Sequence, residues 1–354
     1  MKDIRETIGL FLILLLTSCN ADSSVEYVTQ EMLKPEYTIK INLDEADFNN
    51  PLKLDSSTQW MDVSIGLISR IEIIENYLFV FNRSPMGRDF NVYDTKLNRS
   101  IFSISEKRIY DFSIDRIHKQ ITLLSKGENI RVFTFEGELI REYRLSKEVV
   151  EIRNLSNNKL VGYDNYIDNG NANYYIFDTE SGDILTKYLS FSKEAQGIEI
   201  SVNTSLSRNN NDIIYATTFF SNFIYKLDEN SINKWLELDF GKSNPNFEEL
   251  LVQRKKTSPF ELAMQNNWVY TIDKIIESDD YLVCVVIKNG RALQILLDKN
   301  DPLNWSILPD LDLVTTIGNT FVNIIKDKNS VVLKNGKILT KKVKLEFYNK
   351  QSTG

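Results

Sequence analysis

One hairpin pattern recurs along the chain and constrains the fold more than any other feature. A short apolar strand, an acidic or polar turn and a second strand appear six times. The copies are NVYDTKLNRSIFSI, RVFTFEGELIREYRL, YIFDTESGDILTKYLSF, IYKLDENSINKWLELDF, QILLDKNDPLNWSIL and VVLKNGKILTKKVKL. Their turns are marked by Asp94, Glu136, Asp178, Asp228, Asp298 and Lys334, which are 42, 42, 50, 70 and 36 residues apart. Apart from the long gap, this spacing is near the roughly forty to fifty residues of a four-stranded propeller blade.

Two further strand-like runs precede each hairpin, as RIYDFSID and KQITLLSK precede RVFTFEG. The runs are rich in Ile, Val, Tyr, Phe and Leu, and turn residues such as Gly137 and Gly182 bound them, as in half-buried antiparallel strands. A two-stranded unit cannot bury its apolar face alone, whereas stacked blades cover one another. The pattern therefore predicts an all-β fold, a six-bladed β-propeller of four-stranded antiparallel blades. Two unrelated β-sandwiches are the alternative, but they do not explain why one signature recurs from end to end.

An early strand is expected to close the ring of blades. Two segments before the first repeat have strand character, TIKINLD and PLKLDSS. Pairing of one of them with the last blade would remove the open edge that otherwise templates aggregation.

The long gap between the fourth and fifth hairpins contains the clearly helical part of the chain, residues 244–266. Pro245 and Pro259 suit first-turn positions of helices. Ser258 and Glu261 form an S-x-x-E capping box before an apolar residue. The sequence therefore predicts a short helical insertion between blades 4 and 5.

The first predicted helix carries Phe247, Leu250 and Leu251 on one face, which indicates packing over the joint between the two blades. A lid or a partner-docking element is the alternative. The basic run 254–256 is expected to face solvent.

The N-terminus has the pattern of an export signal. Residues 8–16 read IGLFLILLL, an apolar stretch too short to span a membrane but suited to the core of a signal peptide. LTSC follows directly and resembles the lipobox of bacterial lipoproteins. We therefore expect residues 1–18 to be a lipoprotein signal peptide, cleaved between Ser18 and Cys19, and Cys19 to carry the lipid.

Several acyl chains on Cys19 would make a nearly permanent membrane anchor. Residues 19–36 lack apolar periodicity and suit a flexible tether. We expect the mature protein at the outer membrane, on its periplasmic or its cell-surface side, with the two possibilities left open.

Composition disfavours several classes of function. The formal net charge of −7 repels phosphates, and Lys and Arg form no long stripe, so nucleic acid is not expected as a partner. After acylation of Cys19 the remaining cysteine is Cys284, in the apolar run YLVCVVI, which is typical of a buried strand thiol. The single histidine, His118, lies in a turn-like segment and leaves little from which to build zinc or triad chemistry.

Carboxylates near the inner strands are the candidates for chemistry in the central channel. Acids from several blades could bind Ca²⁺ or act as acid and base. Turn caps and solvated strand ends are the alternative reading of the same residues. The candidates are Asp111, Asp115, Glu151, Asp273 and Glu277.

Two loops combine polar and aromatic residues. The loop Tyr163–Tyr175 contains four tyrosines with Asp and Asn, a chemistry compatible with a glycan contact, although a long hairpin connection is the simpler interpretation. It does not fit an EF-hand, because Ile167 and Ile176 would occupy ligand positions. The loop Ser84–Phe90 is interpreted as a turn. The sequence contains no nucleophile elbow, Walker loop or dinucleotide fingerprint.

The chain also resembles a known group of proteins. INLDEADFNNPLKL, ISRIEIIENYLFVFN and YDFSIDRIHKQITLLSKGENIRVFTFEGELIREYRL are similar to the six-bladed β-propeller lipoproteins of Bacteroidetes, a TolB-like or NHL-like type. The resemblance implies one propeller over residues 37–349, with 350–354 as a C-terminal tail. It implies a fold and a location but no established reaction. Members often have a Gly-Pro-Gly-Glu-like loop between the first two blades, whereas this chain has SISEKRIYDF, so no role of that loop is carried over.

These observations predict a non-catalytic binding or scaffolding lipoprotein, monomeric and without a cofactor, that contacts a protein or glycan partner through its loops. No catalytic or metal-binding residues are assigned, and the membrane is contacted through the lipid at Cys19. The alternative is a hydrolase or lyase that uses the central channel with a divalent cation held by carboxylates.

Overall fold

The structure is a computed structural model that describes 27–28, 33–41, 43, 54–61, 67–84, 87–97, 99–155, 158–165, 172–190, 206–208, 213–218, 220–253, 256–303, 305–308, 313–317, 320–326, 331–334, 337–340 and 343–350. The predicted signal peptide 1–18, the predicted lipid site Cys19 and the basic pair 254–255 lie outside these residues.

The described chain is built almost entirely from strands. In chain order they are β1 (Tyr27–Val28), β2 (Tyr37–Lys40), β3 (Leu54–Met61), β4 (Leu67–Ile74), β5 (Tyr77–Ser84), β6 (Gly87–Asp94), β7 (Arg99–Glu106), β8 (Ile109–Asp115), β9 (Gln120–Ser125), β10 (Asn129–Thr134), β11 (Leu139–Arg144), β12 (Glu151–Asn154), β13 (Lys159–Tyr163), β14 (Ala172–Asp178), β15 (Ile184–Ser190), β16 (Leu206–Arg208), β17 (Ile214–Thr217), β18 (Phe223–Leu227), β19 (Ile232–Asp239), β20 (Val269–Glu277), β21 (Tyr281–Lys288), β22 (Arg291–Asp298), β23 (Trp305–Ile307), β24 (Leu313–Ile317), β25 (Thr320–Lys326), β26 (Val331–Lys334), β27 (Lys337–Thr340) and β28 (Val343–Lys350). A 3-10 helix (Gly241–Ser243) and the helices α1 (Phe247–Gln253) and α2 (Pro259–Asn266) lie between β19 and β20.

In the described part of the chain six sheets form the blades, each built on four antiparallel strands, and the sheets of blades 3 and 4 gain a fifth strand at their outer edge. Blade 1 is β4–β7, blade 2 is β8–β11, blade 3 is β12–β15, blade 4 is β16–β19, blade 5 is β20–β23, and blade 6 is β24, β25, β28 and β3. The first strands of neighbouring blades pack side by side, from β8 through β12, β16, β20 and β24 to β4. The prediction of an all-β propeller with four-stranded antiparallel blades is therefore confirmed, and the two-sandwich alternative is wrong.

The blades present two faces that differ in their connections. The turn face carries the links between first and second and between third and fourth strands, at 75–76, 95–97, 116–119, 136–138, 179–183, 229–231, 279–280 and 299–303. The loop face carries the links between second and third strands and between blades, including 107–108, 126–128, 145–150, 240–253, 256–268 and 289–290. The helical insertion therefore belongs to the loop face.

An N-terminal strand closes the ring, as expected, but the sixth hairpin has a different role from the one predicted. β3, which includes part of PLKLDSS, pairs along its whole length with β28 as the outermost strand of blade 6. The candidate TIKINLD was wrong for this role, because β2 pairs in parallel with β19 of blade 4. The copy VVLKNGKILT forms the separate hairpin β26–β27 between β25 and β28, so it is an insertion and not the outer pair of blade 6.

Aspartates explain why the hairpin signature repeats. In four blades an aspartate that ends the third strand or directly follows it accepts hydrogen bonds through Oδ1 from backbone N–H groups two and three residues later. Short acceptor side chains stabilise tight turns in this way. The capping residues are Asp94, Asp178, Asp228 and Asp298.

Apolar side chains between blades form the core. Phe90 of blade 1 and Phe112 of blade 2 lie within one cluster, with ring centroids 5.0 Å apart. Equivalent clusters join blades 2 and 3, blades 3 and 4, and blades 4 and 5. Each of these sheets is therefore covered by its neighbours, as the repeat pattern required.

The helical insertion follows the prediction in most details. α2 begins with Pro259, and Ser258 and Glu261 form both hydrogen bonds of the capping box. Pro245, predicted in a first turn, instead precedes α1, and Asn246 accepts the backbone N–H of Glu249 there. The side-chain amide oxygen of an asparagine can accept a hydrogen bond at the start of a helix, whereas proline has no side-chain acceptor.

The apolar face of the insertion packs on the propeller. Leu250 of α1 and Leu262 of α2 are buried with Phe220 and Trp268 in one cluster. Phe247 and Leu251 pack against the same cluster, so the predicted face of the first helix is confirmed.

Two short N-terminal segments extend the outer edges of neighbouring blades. β1 pairs in parallel with β15 of blade 3, and β2 pairs in parallel with β19 of blade 4. Ile39 and Ile41 are buried in the core cluster of blades 4 and 5. The chain therefore contacts the propeller from Tyr27, before the predicted domain boundary at Tyr37.

Candidate functional site

The predicted carboxylates all come from first strands, which line the central axis. Asp111 and Asp115 lie on β8, Glu151 begins β12, and Asp273 and Glu277 lie on β20. Asp111 and Glu151 are brought into one buried network with two arginines, whereas the other three have separate surroundings.

Asp111 is the centre of this network. Its Oδ1 accepts a hydrogen bond from Arg70 Nη1 at 2.8 Å, and its Oδ2 accepts from Arg153 Nη1 at 2.7 Å and from the Ile152 backbone N–H at 2.9 Å. Arg70 also donates to the Glu72 carboxylate and to the Phe112 carbonyl. Asp111 thereby links the first strands of blades 1, 2 and 3.

Glu151 extends the network to blade 4. Its Oε2 accepts the backbone N–H of Leu206 at 3.2 Å and lies 3.8 Å from Arg153 Nη2. The same Arg153 nitrogen donates to the Leu206 carbonyl at 2.6 Å. Two carboxylates that could have faced a ligand are therefore engaged in bonds between blades.

Burial and neighbouring charge act differently on the two arginines. Burial lowers the pKa of Arg153, and the charge of Arg70 lowers it further, against the attraction of Asp111. Burial also disfavours the charged form of Arg70, but Glu72 and Asp111 outweigh it, and its pKa is raised. Arg153 is thus the buried cation that depends most on Asp111 for compensation.

The two arginines were missed by the sequence reasoning, which considered carboxylates alone. A signal for them exists in the sequence. Arg70 and Arg153 stand in the apolar strand segments SRIEII and VVEIRN, where a long cation needs a buried partner.

Asp115 is a turn cap. Its Oδ1 accepts the backbone N–H groups of Ile117 and His118, both at 3.0 Å, and its Oδ2 lies 2.9 Å from His118 Nδ1. The side chain of His118 is largely exposed, so its predicted place in a surface turn is confirmed.

The acids of blade 5 have their own environment. Glu277 Oε1 accepts from Lys299 Nζ at 2.9 Å, and the same ammonium donates to the Ser278 carbonyl at 2.8 Å. This arrangement fixes the end of β20 against the turn after β22. Asp273 is half-buried on the same strand.

The tyrosine-rich loop connects β13 to β14, as the hairpin interpretation predicted. Tyr163, Tyr174 and Tyr175 are buried, and Tyr174 donates its hydroxyl hydrogen to the Thr217 carbonyl. Burial raises the pKa of Tyr174 well above its ordinary value. These three rings cannot stack on a sugar, which removes most of the basis for the predicted glycan contact; residues 166–171 lie outside the described chain.

The loop Ser84–Phe90 joins β5 to β6 as predicted, with 85–86 outside the described residues. Cys284 is fully buried on β21, and burial raises the pKa of its thiol. The interpretation of Cys284 as a buried strand residue is therefore confirmed.

A cleft of about 650 Å³ opens on the turn face between blades 2 and 3. Ile117 and Ile140 lie at it, and Thr122 and Asn154 are buried at its base, joined by a 3.1 Å hydrogen bond. Arg141 also lines the cleft, with its guanidinium carbon 5.3 Å from the ring centre of Tyr143.

Exposed apolar side chains occupy both faces. On the loop face, Val252, Phe260 and Met264 of the helical insertion are exposed, and Phe260 and Met264 share one side of α2. Others lie at the turn face. The described residues contain no group of three or more His, Cys, Asp and Glu placed to hold a metal ion. Among the same residues, no helix has the length and apolar character required to cross a bilayer.

These features define a six-bladed propeller whose channel carboxylates join neighbouring blades. The chain belongs to the DUF5128 family, described as a 6-bladed β-propeller, whose family model matches residues 58–307.

Two solved structures share the fold. A protein from Bacteroides fragilis that is inferred to be exported aligns with a TM-score of 0.67 and 12% identity, over 89% of this chain and 99% of that one. The WD40 repeats of RRP9 align with a TM-score of 0.50 and 7% identity, over 84% of this chain and 100% of that one. No curated protein matches the chain.

Proposed function

We propose that the protein is a non-catalytic binding or scaffolding propeller, anchored to the bacterial outer membrane by lipid at Cys19, that contacts a protein partner through its loop face. The observation that carries this proposal is the engagement of Asp111 and Glu151. Their oxygens accept hydrogen bonds from arginines and backbone N–H groups of neighbouring blades.

This engagement argues against the alternative of a cation-dependent hydrolase or lyase. Such an enzyme needs carboxylate oxygens available to a metal or to water. Two arginines beside Asp111 would also repel a divalent cation. The network instead suits a rigid frame that presents loops to a partner.

The chemistry of the loop face favours a protein partner over a glycan. Phe260 and Met264 expose aromatic and flexible apolar surface, which is enriched in protein interfaces, and Val252 is a third exposed apolar side chain on this face. Lys256, between the two helices, is exposed beside them. The buried tyrosines of the β13–β14 connection, in contrast, offer no stacking surface for sugars.

The proposed location rests on the apolar run at residues 8–16 and the LTSC motif that ends at Cys19. The B. fragilis protein of similar fold is inferred to be exported, which is compatible with it. Substitution Cys19→Ala should release the protein from membranes. The measurement is the share of protein that sediments with membranes in high salt, and an unchanged share would contradict lipid attachment.

Photo-cross-linking in intact cells tests the partner. A benzoyl-phenylalanine at Phe260 preserves the aromatic ring, and one at Glu142, exposed on the outer strand of blade 2, is the matched control. We expect a discrete, protease-sensitive adduct from position 260 and none from position 142. Equal labelling at both positions, or no adduct at position 260, would refute a docking site on the loop face.

Metal analysis of the full purified chain separates the proposal from the alternative. We expect no stoichiometric Ca²⁺ or Mg²⁺ after dialysis. Retention of one equivalent would favour the cation-dependent enzyme.

A further inference from the structure

We propose that the turn face lies against the membrane surface, with aliphatic side chains at its turns entering the boundary between headgroups and acyl chains. This inference rests on the proposed lipid attachment at Cys19 and goes beyond it, because it assigns the membrane-facing side of the propeller.

The first observation is where exposed aliphatic side chains lie. Among the described residues, most of the large hydrophobic side chains that are exposed belong to the turns of the turn face or to the strand residues that follow them. Their exposed fractions run from 42% to 76%. They are Leu97, Ile117, Leu139, Ile140, Leu185 and Leu303.

These side chains belong to blades 1, 2, 3 and 5, so they are spread around the face. Single exposed hydrophobic residues are normal on a soluble surface, but six of the ten that are exposed among the described residues share this face. Aliphatic side chains at the tips of turns can enter an interface without any change in the fold. A bilayer surface covers all of them at once, whereas a small partner would cover one or two.

The charges near these tips fit an interface that is not strongly anionic. Lys96 precedes Leu97 and Arg116 precedes Ile117, with stems long enough to place their cations among headgroups. Acidic turn residues such as Glu136 are exposed on the same face. In the turns of this face Asp and Glu outnumber Lys and Arg by nine to four. We therefore expect apolar contact and the lipid anchor to dominate, and anionic lipid to weaken the contact.

The second observation is the direction of the N-terminal segment. β1 runs parallel to β15, with Tyr27 opposite Lys187 and Val28 opposite Tyr188. β15 begins at the turn face, immediately after the 179–183 turn. β1 therefore runs away from the turn face, which favours a lipid at Cys19 on that side of the propeller.

The reach of the chain limits where the lipid can be. Cys19 precedes Tyr27 by eight residues, which span at most about 28 Å when fully extended. Tyr27 is opposite the fourth residue of β15, so roughly 10 Å of strand separates it from the turn face. The lipid then lies within reach of the edge of blade 3, where Leu185 is exposed. Because Lys187 is the middle residue of β15, the direction of β1, and not this reach, favours the turn face.

The loop face is at the other end of these strands and carries the helical insertion. With the turn face on the membrane, Phe260 and Met264 point to the surrounding compartment, where a protein partner can reach them. The exposed aliphatic side chains of the turn face would thus contact the membrane, and the exposed apolar side chains of the helical insertion would contact a protein partner.

Site-specific quenching tests the orientation. Cys284 is buried and Cys19 would be acylated, so an introduced surface cysteine is the reactive thiol of the folded chain. The full acylated chain is labelled with a fluorophore at Ile117→Cys or Leu303→Cys, with Val252→Cys and Met264→Cys as loop-face controls. Each is reconstituted into phosphatidylethanolamine and phosphatidylglycerol vesicles that contain spin-labelled lipid. We expect quenching at the turn face to exceed that at the loop face at least threefold.

The outcomes separate this inference from the proposed function. Sedimentation of the acylated chain with vesicles, together with equal quenching at both faces or stronger quenching at the loop face, would overturn the orientation and leave the anchor intact. Failure of the wild-type chain to sediment would remove the anchor and the orientation together.

A second variant checks the role of the aliphatic tips. Ile117→Glu and Leu139→Glu are each combined with Cys19→Ala. Each of the two double variants should bind vesicles about threefold or more weakly than Cys19→Ala alone. The thermal midpoint should stay unchanged, because both side chains are exposed. Unchanged residual binding with unchanged stability would contradict membrane contact by these turns.

Discussion

Replacement of Asp111 by Asn tests whether the channel network holds the propeller together. Asparagine keeps the shape of the side chain but removes the charge between Arg70 and Arg153. It also turns one acceptor into a donor that faces Arg153 and the Ile152 N–H. The side chains of Arg153 and Asp111 are 2% and 7% exposed, so water cannot compensate. Removal of one partner of a buried ion pair costs about 3–5 kcal/mol.

At roughly 2 °C per kcal/mol for a large domain, Asp111→Asn should lower the thermal midpoint by about 6–10 °C. The assay is thermal unfolding of the full chain followed by circular dichroism at pH 7. The control is Asp94→Asn, a half-buried turn cap that keeps its acceptor oxygen and should change stability by no more than about 0.5 kcal/mol.

A double variant gives the matching positive test. Arg153→Met removes the cation that Asp111 compensates, so Asp111→Asn in that background should cost less than in the wild type. A midpoint for Asp111→Asn within 2 °C of the wild type would refute the structural role. Asp111 would then again be a candidate for channel chemistry.

Three further predictions follow from local geometry. Hydrogen bonds from backbone N–H groups, first of all that of Ser181, lower the pKa of Asp178 below its ordinary value of 3.8. The stabilisation that the ionised carboxylate provides is therefore present above that pH and is lost as pH falls through the folded pKa. The difference in unfolding free energy between the wild type and Asp178→Asn, measured by urea unfolding, should vanish in acid. Cys284 should resist thiol reagents in the native protein and react at once in denaturant, and rapid native labelling would contradict its burial. Gly182→Ala should destabilise by at least about 2 kcal/mol, because its φ is +79° and a Cβ would lie 2.0 Å from a backbone oxygen, whereas Gly241→Ala has open space and should cost about 1 kcal/mol. Equal losses for the two glycines in urea unfolding would contradict this comparison.

Much of the fold could be predicted from the sequence because its causes are local. An aspartate that caps the turn after a third strand produces the same short pattern in each blade, as Asp94 and Asp178 do. The capping box of Ser258 and Glu261 is likewise complete within four residues. Such signals need no knowledge of distant chain segments.

The errors concern pairing between distant segments. The sixth hairpin matches the pattern of the others, yet β26 and β27 pair with each other while β28 pairs with β3. TIKINLD and PLKLDSS have similar strand character, and nothing local distinguishes the one that closes the ring. Selection between them depends on which edge each segment meets in three dimensions.

The candidate site shows the same division. The acids of the inner strands were predicted as candidates because carboxylates near the central channel could bind a cation or act as acid and base. The ion pairs that these acids form with arginines were not predictable from the sequence. Arg70, Asp111 and Arg153 come together only when the first strands of three blades meet.

The sequence alone determined the repeat, the strand and turn chemistry, the helical insertion and the pattern of an export signal, since each is set by residues close together in the chain. Only the tertiary structure decided which segment closes the ring, which acids are engaged by arginines, and which face carries the exposed aliphatic residues. Those features depend on contacts between residues far apart in sequence. Whether a side chain in such a contact is buried or exposed depends on the folded chain, and its residue type alone does not determine this.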